Sequence, residues 1–174
     1  MIYYIGDLHF GDQRVMELAG RPYLSVEEMN CDISSKWNLR VKTSDFVYVL
    51  GDFAFDDESA QIIDRLQGKK ILLMGNHDYV LSQKTLRKFD RVETICTIAD
   101  LDRSVCLCHY PLLSFDRSIY GGYHVFGHIH NNKNDVAFLL QKQLSNSFNC
   151  GADVIDFVPR TLDELISLKK RGVI

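Results

Sequence analysis

Short apolar segments, each of strand length, recur along the chain between polar stretches. They are rich in β-branched and aromatic residues, which favours strands buried on at least one face. The segments with this character are Ile2 to Ile5, Phe46 to Leu50, Ile71 to Met74, Val105 to Cys108 and Tyr123 to Phe126. The pattern therefore predicts five buried strands.

Helical patterns lie between these segments. The clearest begins at Ser25, which stands three residues before Glu28 and so forms the pattern of a capping box. Apolar residues then follow at helical spacing, namely Val26, Met29, Ile33 and Trp37. The spacing predicts a helix that covers one face of a sheet, with its tryptophan packed in the core.

Two further helices are predicted. One runs through Ala60 to Leu66 with Gly68 as its C-terminal stop, and the other opens at Thr161, where Glu164 completes a second capping box. Strands alternate with helices in the first half of the chain, whereas residues 91–157 are expected to form mainly strands. This order predicts a mixed sheet system flanked by helices.

Composition narrows the class of protein. A chain of 174 residues that is 46% hydrophobic and 25% charged suits a single domain over residues 1–174. A formal net charge of −3 offers no basic surface for long nucleic acids. No basic leader and no apolar run of ~18 residues is seen, so neither a signal peptide nor a membrane contact is expected. Five cysteines without regular spacing suit free thiols, which makes the cytoplasm the expected location.

Side chains that bind metal ions follow the apolar segments. In open α/β folds the loops after neighbouring strands converge, so these side chains are expected to meet in one place. Glycines at several of the turns permit a sharp bend and a close approach, because they have no Cβ. Pairs two residues apart can point the same way if the chain stays extended. The residues in these positions are Asp7, His9, Asp52, Asn76, His77, Asp78, His109, His128 and His130.

The donor set indicates the kind of metal. Imidazole, carboxylate and carboxamide groups without thiolate suit Mn²⁺ first, and also Fe, Zn²⁺ or Ni²⁺, rather than a structural zinc held by cysteines. A lone histidine at a strand end is more often structural, but here five of the six histidines share the pattern. More donors than one ion needs imply two divalent ions, and ions ~3.5–4 Å apart are a recurring device for attacking phosphate esters.

The ordered motifs resemble those of the calcineurin-like metallophosphoesterases. They read DxH at Asp7 and His9, GD at Asp52, GNHD from Asn76 to Asp78, a single histidine at His109, and GHxH ending at His130. The resemblance spans residues 6–130. It implies an α/β fold, a four-layer α-β-β-α sandwich of two mixed sheets flanked by helices.

The resemblance also implies a role for each motif residue. One ion takes Asp7, His9 and His130, the other takes Asn76, His109 and His128, and Asp52 bridges both. His77 would be the catalytic histidine and Asp78 its orienting partner. The implied nucleophile is a hydroxide bridging the two ions, because coordination lowers the pKa of water from ~15.7 towards ~7. Protonation of the leaving alkoxide by a histidine is typically worth ~10²–10⁴-fold in rate.

Departures from better-known branches narrow the expected function. The second motif reads GDFAFDD, with Phe55 where the protein phosphatases of this superfamily carry an aspartate. The segment after His130 is expected to be too short for the capping domain of the repair nucleases. The chain therefore resembles the small uncapped bacterial and phage-type phosphoesterases, which often carry a stretch like Asn149 to Gly151. The expected function is hydrolysis of a phosphodiester or a small phosphomonoester.

Two alternatives stay open at this point. One is a noncatalytic metal-binding scaffold, although such a protein has little use for His77, and the other is a nuclease for short oligonucleotides. The expected partner is a small phosphate ester, with no long nucleic acid; a homo-oligomer is left open. Cys106 and Cys108 are expected to be buried, and His124 to be structural, with contact to substrate as the alternative. Exposed side chains are expected at Arg14, Arg21 and Arg117, with contact to a phosphate as the alternative.

Overall fold

The computed structural model describes residues 1–174 and contains two four-stranded sheets. The first sheet is entirely parallel, in the order β1 (Ile2–Ile5), β2 (Phe46–Val49), β3 (Lys69–Leu73) and β4 (Arg91–Glu93). The second consists of β5 (Ile95–Asp100), β6 (Arg103–Cys108), β7 (Tyr123–Phe126) and β8 (Ser147–Asn149). In it, β5 and β6 are antiparallel while β7 lies parallel to β6 and β8.

The predicted α/β architecture of two sheets flanked by helices is confirmed, with one correction. Only the second sheet is mixed. The first is all parallel because β1, β2 and β3 are joined by crossover segments that return the chain to the same end of the sheet. The five predicted strands are all present, and the three that the sequence did not single out are β4, β5 and β8.

Five α-helices accompany the sheets: α1 (Gln13–Leu18), α2 (Val26–Arg40), α3 (Gln83–Leu86), α4 (Val136–Lys142) and α5 (Leu162–Lys170). Short 3₁₀ segments cover Ser59–Arg65, Asp78–Val80, Ser118–Tyr120 and Ala152–Val154. The helix predicted around residues 60–66 is therefore a 3₁₀ segment. Residues 91–157 carry five strands, as expected, and also helix α4, which the sequence did not predict.

Helix α2 begins where its capping pattern predicts. The Ser25 side chain accepts the backbone N–H of Glu28, but the Glu28 carboxylate accepts from Leu24 rather than from Ser25, so the capping box is only half formed. The box at Thr161 and Glu164 is complete.

One core of 36 buried hydrophobic residues joins both sheets to the helices. It includes Trp37 from α2, Val49 from β2, Leu107 from β6 and Leu165 from α5, and Trp37 also donates its indole N–H to Gln67 O. All five cysteines are free. No helix has both the length and the apolar character that crossing a membrane requires.

Candidate metal centre

The loops after β1, β2, β3, β6 and β7 bring together the seven side chains that the sequence predicted as ligands. Asp7, His9 and His130 each offer a ligand atom, and these atoms lie within 4.8 Å of one another. The same holds for Asp7, Asp52 and His109. These Asp and His groups could hold a metal ion, and all except His130 are buried.

Most of the predicted ligands have a left-handed backbone. Positive φ angles of 49–72° occur at Asp7, His9, Asp52, His128 and His130. The pairs two residues apart therefore converge through local turns and not along an extended chain. A left-handed non-glycine residue costs about 1–3 kcal/mol, and such residues cluster at functional sites. Five of them in one place are consistent with a site whose backbone has been shaped for binding.

Two glycines leave room for ligands that come from other loops. A Cβ on Gly51, which itself has a φ of +81°, would lie 2.3 Å from Nδ1 of His109. A Cβ on Gly75 would lie 2.2 Å from Oδ1 of Asp52. Both distances are far below van der Waals contact, so any larger residue would displace a neighbouring side chain.

One half of the site is formed by Asp7, His9 and His130. The Nε2 atom of His9 is buried and has no hydrogen-bond partner, although Oδ2 of Asp52 lies 3.6 Å away. Burial, reinforced by the nearby His130, lowers the pKa of His9 to about 2, so its imidazole is neutral. Burial also raises the pKa of Asp7 to about 6, while both of its oxygens lie 3.0 Å from the backbone nitrogen of His128. A buried ring nitrogen without a partner, close to a desolvated carboxylate, is an arrangement that a bound cation would stabilise.

The other half is formed by Asn76, His109 and His128. Nδ1 of His109 lies 2.7 Å from Leu50 O, and it carries a proton because a carbonyl can only accept. In the neutral ring, Nε2 then presents a lone pair, and it faces Oδ1 of Asn76 at 3.0 Å and Nδ1 of His128 at 3.1 Å. Nδ1 of His128 is also 3.0 Å from that oxygen.

Such spacings fit a shared ion. Donors about 2.0–2.2 Å from one metal lie about 3–3.5 Å from one another, which is the range observed between these three side chains. Burial, with the neighbouring His109 adding to it, lowers the pKa of His128, so this imidazole too is in its neutral, ligand-ready form at neutral pH.

Asp52 lies between the two halves. Its Oδ2 atom is 3.6 Å from Nε2 of His9 and 3.5 Å from Nε2 of His109, while Oδ1 accepts the backbone N–H of His77 at 2.8 Å. Oδ2 therefore faces both groups of donors, and Oδ1 holds the loop after β3 through the backbone of His77.

His77 is an exposed side chain at the rim, with its ring 5.1 Å from the ring of His9. The structure does not support an orienting contact between it and Asp78. The carboxylate of Asp78 is fully buried and accepts backbone N–H groups from Asp52, Phe53 and Gly75 at 2.8–2.9 Å. Asp78 thus joins the loops after β2 and β3, and its orienting role towards His77 stays a prediction.

Sequence reasoning missed two acidic residues that support the ligands. Asp12 places Oδ2 3.5 Å from Nδ1 of His9, and Asp153 places Oδ2 2.5 Å from Nδ1 of His130. Asp153 follows Asn149, whose side chain donates to His130 O at 2.9 Å. The Asn149 to Gly151 stretch noted in the sequence was the one signal that this segment lies beside the site.

The remaining residues are mostly as expected, with one exception. Arg14 and Arg117 are exposed, and Cys106 and Cys108 are buried. The expectation that Arg21 is exposed is wrong, because its side chain is fully buried in an ion pair with Asp153 at 2.6 Å.

His124 has the structural role expected for it. Its ring is fully buried, Nδ1 lies 3.0 Å from Cys106 O, and Nε2 accepts the backbone N–H of Leu112 at 3.0 Å. The ring also packs against Phe115 and Phe126. His124 therefore fastens the loop that follows His109 to the second sheet.

An open groove of about 790 Å³ runs from the site between α1 and the loop after β7. His77, His128 and His130 line it, and Arg14 and Lys133 are the cationic groups along it. A run of amide side chains, Asn131, Asn132 and Asn134, forms one wall.

Comparison with known proteins identifies a relative of this chain. The chain is 30% identical to the uncharacterized protein MJ1445 of Methanocaldococcus jannaschii over 176 aligned positions, which cover 98% of this chain and 92% of that protein. This chain belongs to the MJ1445 family. No protein-family model matches it.

A solved structure supports the fold of this MJ1445 family member. The protein of unknown function AQ665 from Aquifex aeolicus is 26% identical and superposes with a TM-score of 0.75, over 97% of this chain and 98% of that one. The phosphoesterase Yfce of E. coli gives a TM-score of 0.39 at 14% identity, over 86% of this chain and 77% of that one. The Yfce similarity is too low to carry an argument about function.

Proposed function

We propose that this protein is a phosphoesterase that binds two divalent ions and hydrolyses a phosphodiester or a small phosphomonoester. The observation that carries the proposal is the contact of His109 Nε2 with Asn76 Oδ1 at 3.0 Å, while Nδ1 is held by Leu50 O. In the neutral ring with hydrogen on Nδ1, Nε2 carries no hydrogen, so two acceptors face each other. Because such a contact is repulsive in a metal-free protein, it supports a cation at this position.

The donor chemistry fits two ions. Asp7, His9 and His130 would hold one, Asn76, His109 and His128 the other, and Asp52 would contribute to both. Neutral imidazoles, carboxylates and one carboxamide, with no thiolate, suit Mn²⁺ first and Fe, Zn²⁺ or Ni²⁺ as alternatives. When bound, two such ions would neutralise charge on the phosphate oxygens and make a water molecule acidic enough to attack at neutral pH.

The chain itself would supply the proton for the leaving group. His77 is the exposed histidine at the rim, and its backbone N–H is fixed by Oδ1 of Asp52 at 2.8 Å. A histidine can exchange a proton near neutral pH, so it suits the task of protonating an alkoxide as it departs. The groove beside it would receive the alcohol part of the ester.

The proposal is tested by metal content and turnover measured together. Protein saturated with Mn²⁺ should bind two ions per chain and should hydrolyse aryl phosphodiesters or monoesters, and chelation should abolish turnover. Asp52→Asn should weaken both sites at once, because this carboxylate faces both halves. A saturated protein that never exceeds one ion per chain contradicts the dinuclear centre.

Turnover also separates the alternatives. Two bound ions with no hydrolysis of aryl esters, of a metabolite panel or of short oligonucleotides would favour a metal-binding scaffold. Activity restricted to short oligonucleotides would favour a nuclease. The matched control is Asp156→Asn, since the Asp156 side chain is 88% exposed and pairs only with Arg160.

A further inference from the structure

The buried carboxylate of Asp153 contacts two side chains that come from distant parts of the chain. One of its oxygens lies 2.5 Å from Nδ1 of His130, in the loop after β7. The other accepts the Nε–H of Arg21 at 2.6 Å, in the segment between α1 and α2. The Asp153 side chain is only 2% exposed and that of Arg21 is fully buried, so water competes little for either contact.

The same arginine reaches the loop after β1. Its two terminal nitrogens donate to Asp7 O at 2.6 Å and to Leu8 O at 2.8 Å. These carbonyls lie in the turn whose left-handed residues are Asp7 and His9. Through Arg21, Asp153 is therefore connected to the strained backbone that presents both of these side chains.

Charge decides where the proton of His130 lies. The carboxylate of Asp153 also accepts the Nε–H of Arg21, and a carboxylate oxygen can only accept. Nδ1 of His130 therefore carries a hydrogen directed at Asp153, and Nε2 keeps its lone pair. A partner of this kind fixes both the tautomer and the orientation of a metal-binding histidine.

The two halves of the site differ in this respect. Nδ1 of His109 contacts a neutral carbonyl, Leu50 O. Nδ1 of His130 and Nδ1 of His9 instead lie near carboxylates, those of Asp153 at 2.5 Å and of Asp12 at 3.5 Å. A carboxylate raises the basicity of the ring more than a carbonyl does. Of these rings, His130 therefore has the closest carboxylate partner.

We propose that Asp153 is the positioning residue of the half formed by Asp7, His9 and His130. It directs the His130 lone pair at the ion and, through Arg21, holds the turn that carries Asp7 and His9. This inference rests on the proposed metal-binding function. Substitution of such a partner typically lowers metal affinity about 10–100-fold, and here the loss should fall on one ion of the two.

Asp153→Asn tests the inference with little change of shape. The carboxamide oxygen can still accept from Arg21, but its N–H₂ group then faces Nδ1 of His130 and favours the tautomer with hydrogen on Nε2, which cannot bind a metal. Titration with Zn²⁺, followed by calorimetry, should show one site of unchanged affinity and one weakened about 10–100-fold. Asp156→Asn, three residues along the chain, should keep both sites as they are.

A second measurement needs no variant. In the zinc-loaded wild-type protein, ¹⁵N spectra of the histidine rings should show hydrogen on Nδ1 of His130 and coordination through Nε2. Coordination through Nδ1 would overturn the inference, because Nδ1 could not then donate to Asp153. The same spectra read the tautomer directly, whether or not Asp153→Asn folds.

The two proposals fail in different ways. A wild-type protein that binds no Zn²⁺ would overturn the proposed function together with this inference. Two sites in the wild type that persist with equal affinities in Asp153→Asn would overturn only the role of Asp153. Equal weakening of both sites would also count against it, since the expected effect is confined to one half.

Discussion

Oδ2 of Asp78, in the loop after β3, lies 2.8 Å from the backbone nitrogen of Asp52, in the loop after β2. The same oxygen accepts from Gly75, and Oδ1 accepts from Phe53. The loops after β2 and β3 are thus held together by one buried carboxylate. Both loops carry proposed ligands, so their separation is set by Asp78 whether or not an ion is bound.

Asp78→Asn is expected to lower the free energy of unfolding of the metal-free protein by about 1–3 kcal/mol. The reason is that an amide N–H₂ would replace one of two acceptor oxygens and leave buried N–H donors unsatisfied. Urea denaturation measures the change, with Asp156→Asn as the exposed control. Unchanged stability in Asp78→Asn would show that these three hydrogen bonds contribute little.

His77→Asn is expected to keep both ions and to lose activity selectively. Esters with basic alkoxide leaving groups should lose about 10²–10⁴-fold, because they need a proton in the transition state, whereas activated aryl esters should lose much less. Metal analysis and turnover on esters graded by leaving-group pKa provide the test. A loss that is equal across the series, with both ions retained, would falsify the general-acid role.

Gly75→Ala is expected to reduce the affinity for both ions. The new methyl group would lie 2.2 Å from Oδ1 of Asp52, so this carboxylate must move away from the position between the two halves. Metal titration of the folded variant measures the effect. Gly121→Ala is the control, since no atom lies within 4 Å of its added methyl group, although its φ of +81° makes it somewhat less stable. Retention of both ions in Gly75→Ala would contradict the bridging position of Asp52.

The stability of the metal-free protein should fall as the pH is lowered from 7 to 5, and His124 should contribute to the fall. Burial lowers the pKa of His124 below its ordinary value of 6.5. The unfolded chain therefore takes up a proton near that value while the folded protein does not, and the stability falls with pH until the lowered folded pKa is reached. His124→Gln should show a shallower dependence in urea denaturation at several pH values. An equal slope in the two proteins would exclude a contribution from His124.

Local patterns predicted much of this fold. The five apolar segments became strands within a few residues of their expected ends, and Ser25 and Thr161 cap helices where they were expected to. The misses have local causes too. Helix α4 is a short apolar helix whose main signal is a cap at Asp135, and residues 59–65 form a 3₁₀ segment although their apolar spacing favoured an α-helix.

The sequence by itself determined which side chains follow the strands and that their chemistry suits divalent ions, because strand patterns and donor types are properties of neighbouring residues. Only the tertiary structure decided which buried charged groups support these side chains. Asp153 and Arg21 are 132 positions apart and meet as a buried pair, and Asp78 contacts Asp52, in the loop after β2, 26 positions away. Charged partners of this kind have no periodic pattern in the sequence. Each pair depends on the space and the polarity that the folded chain creates around it.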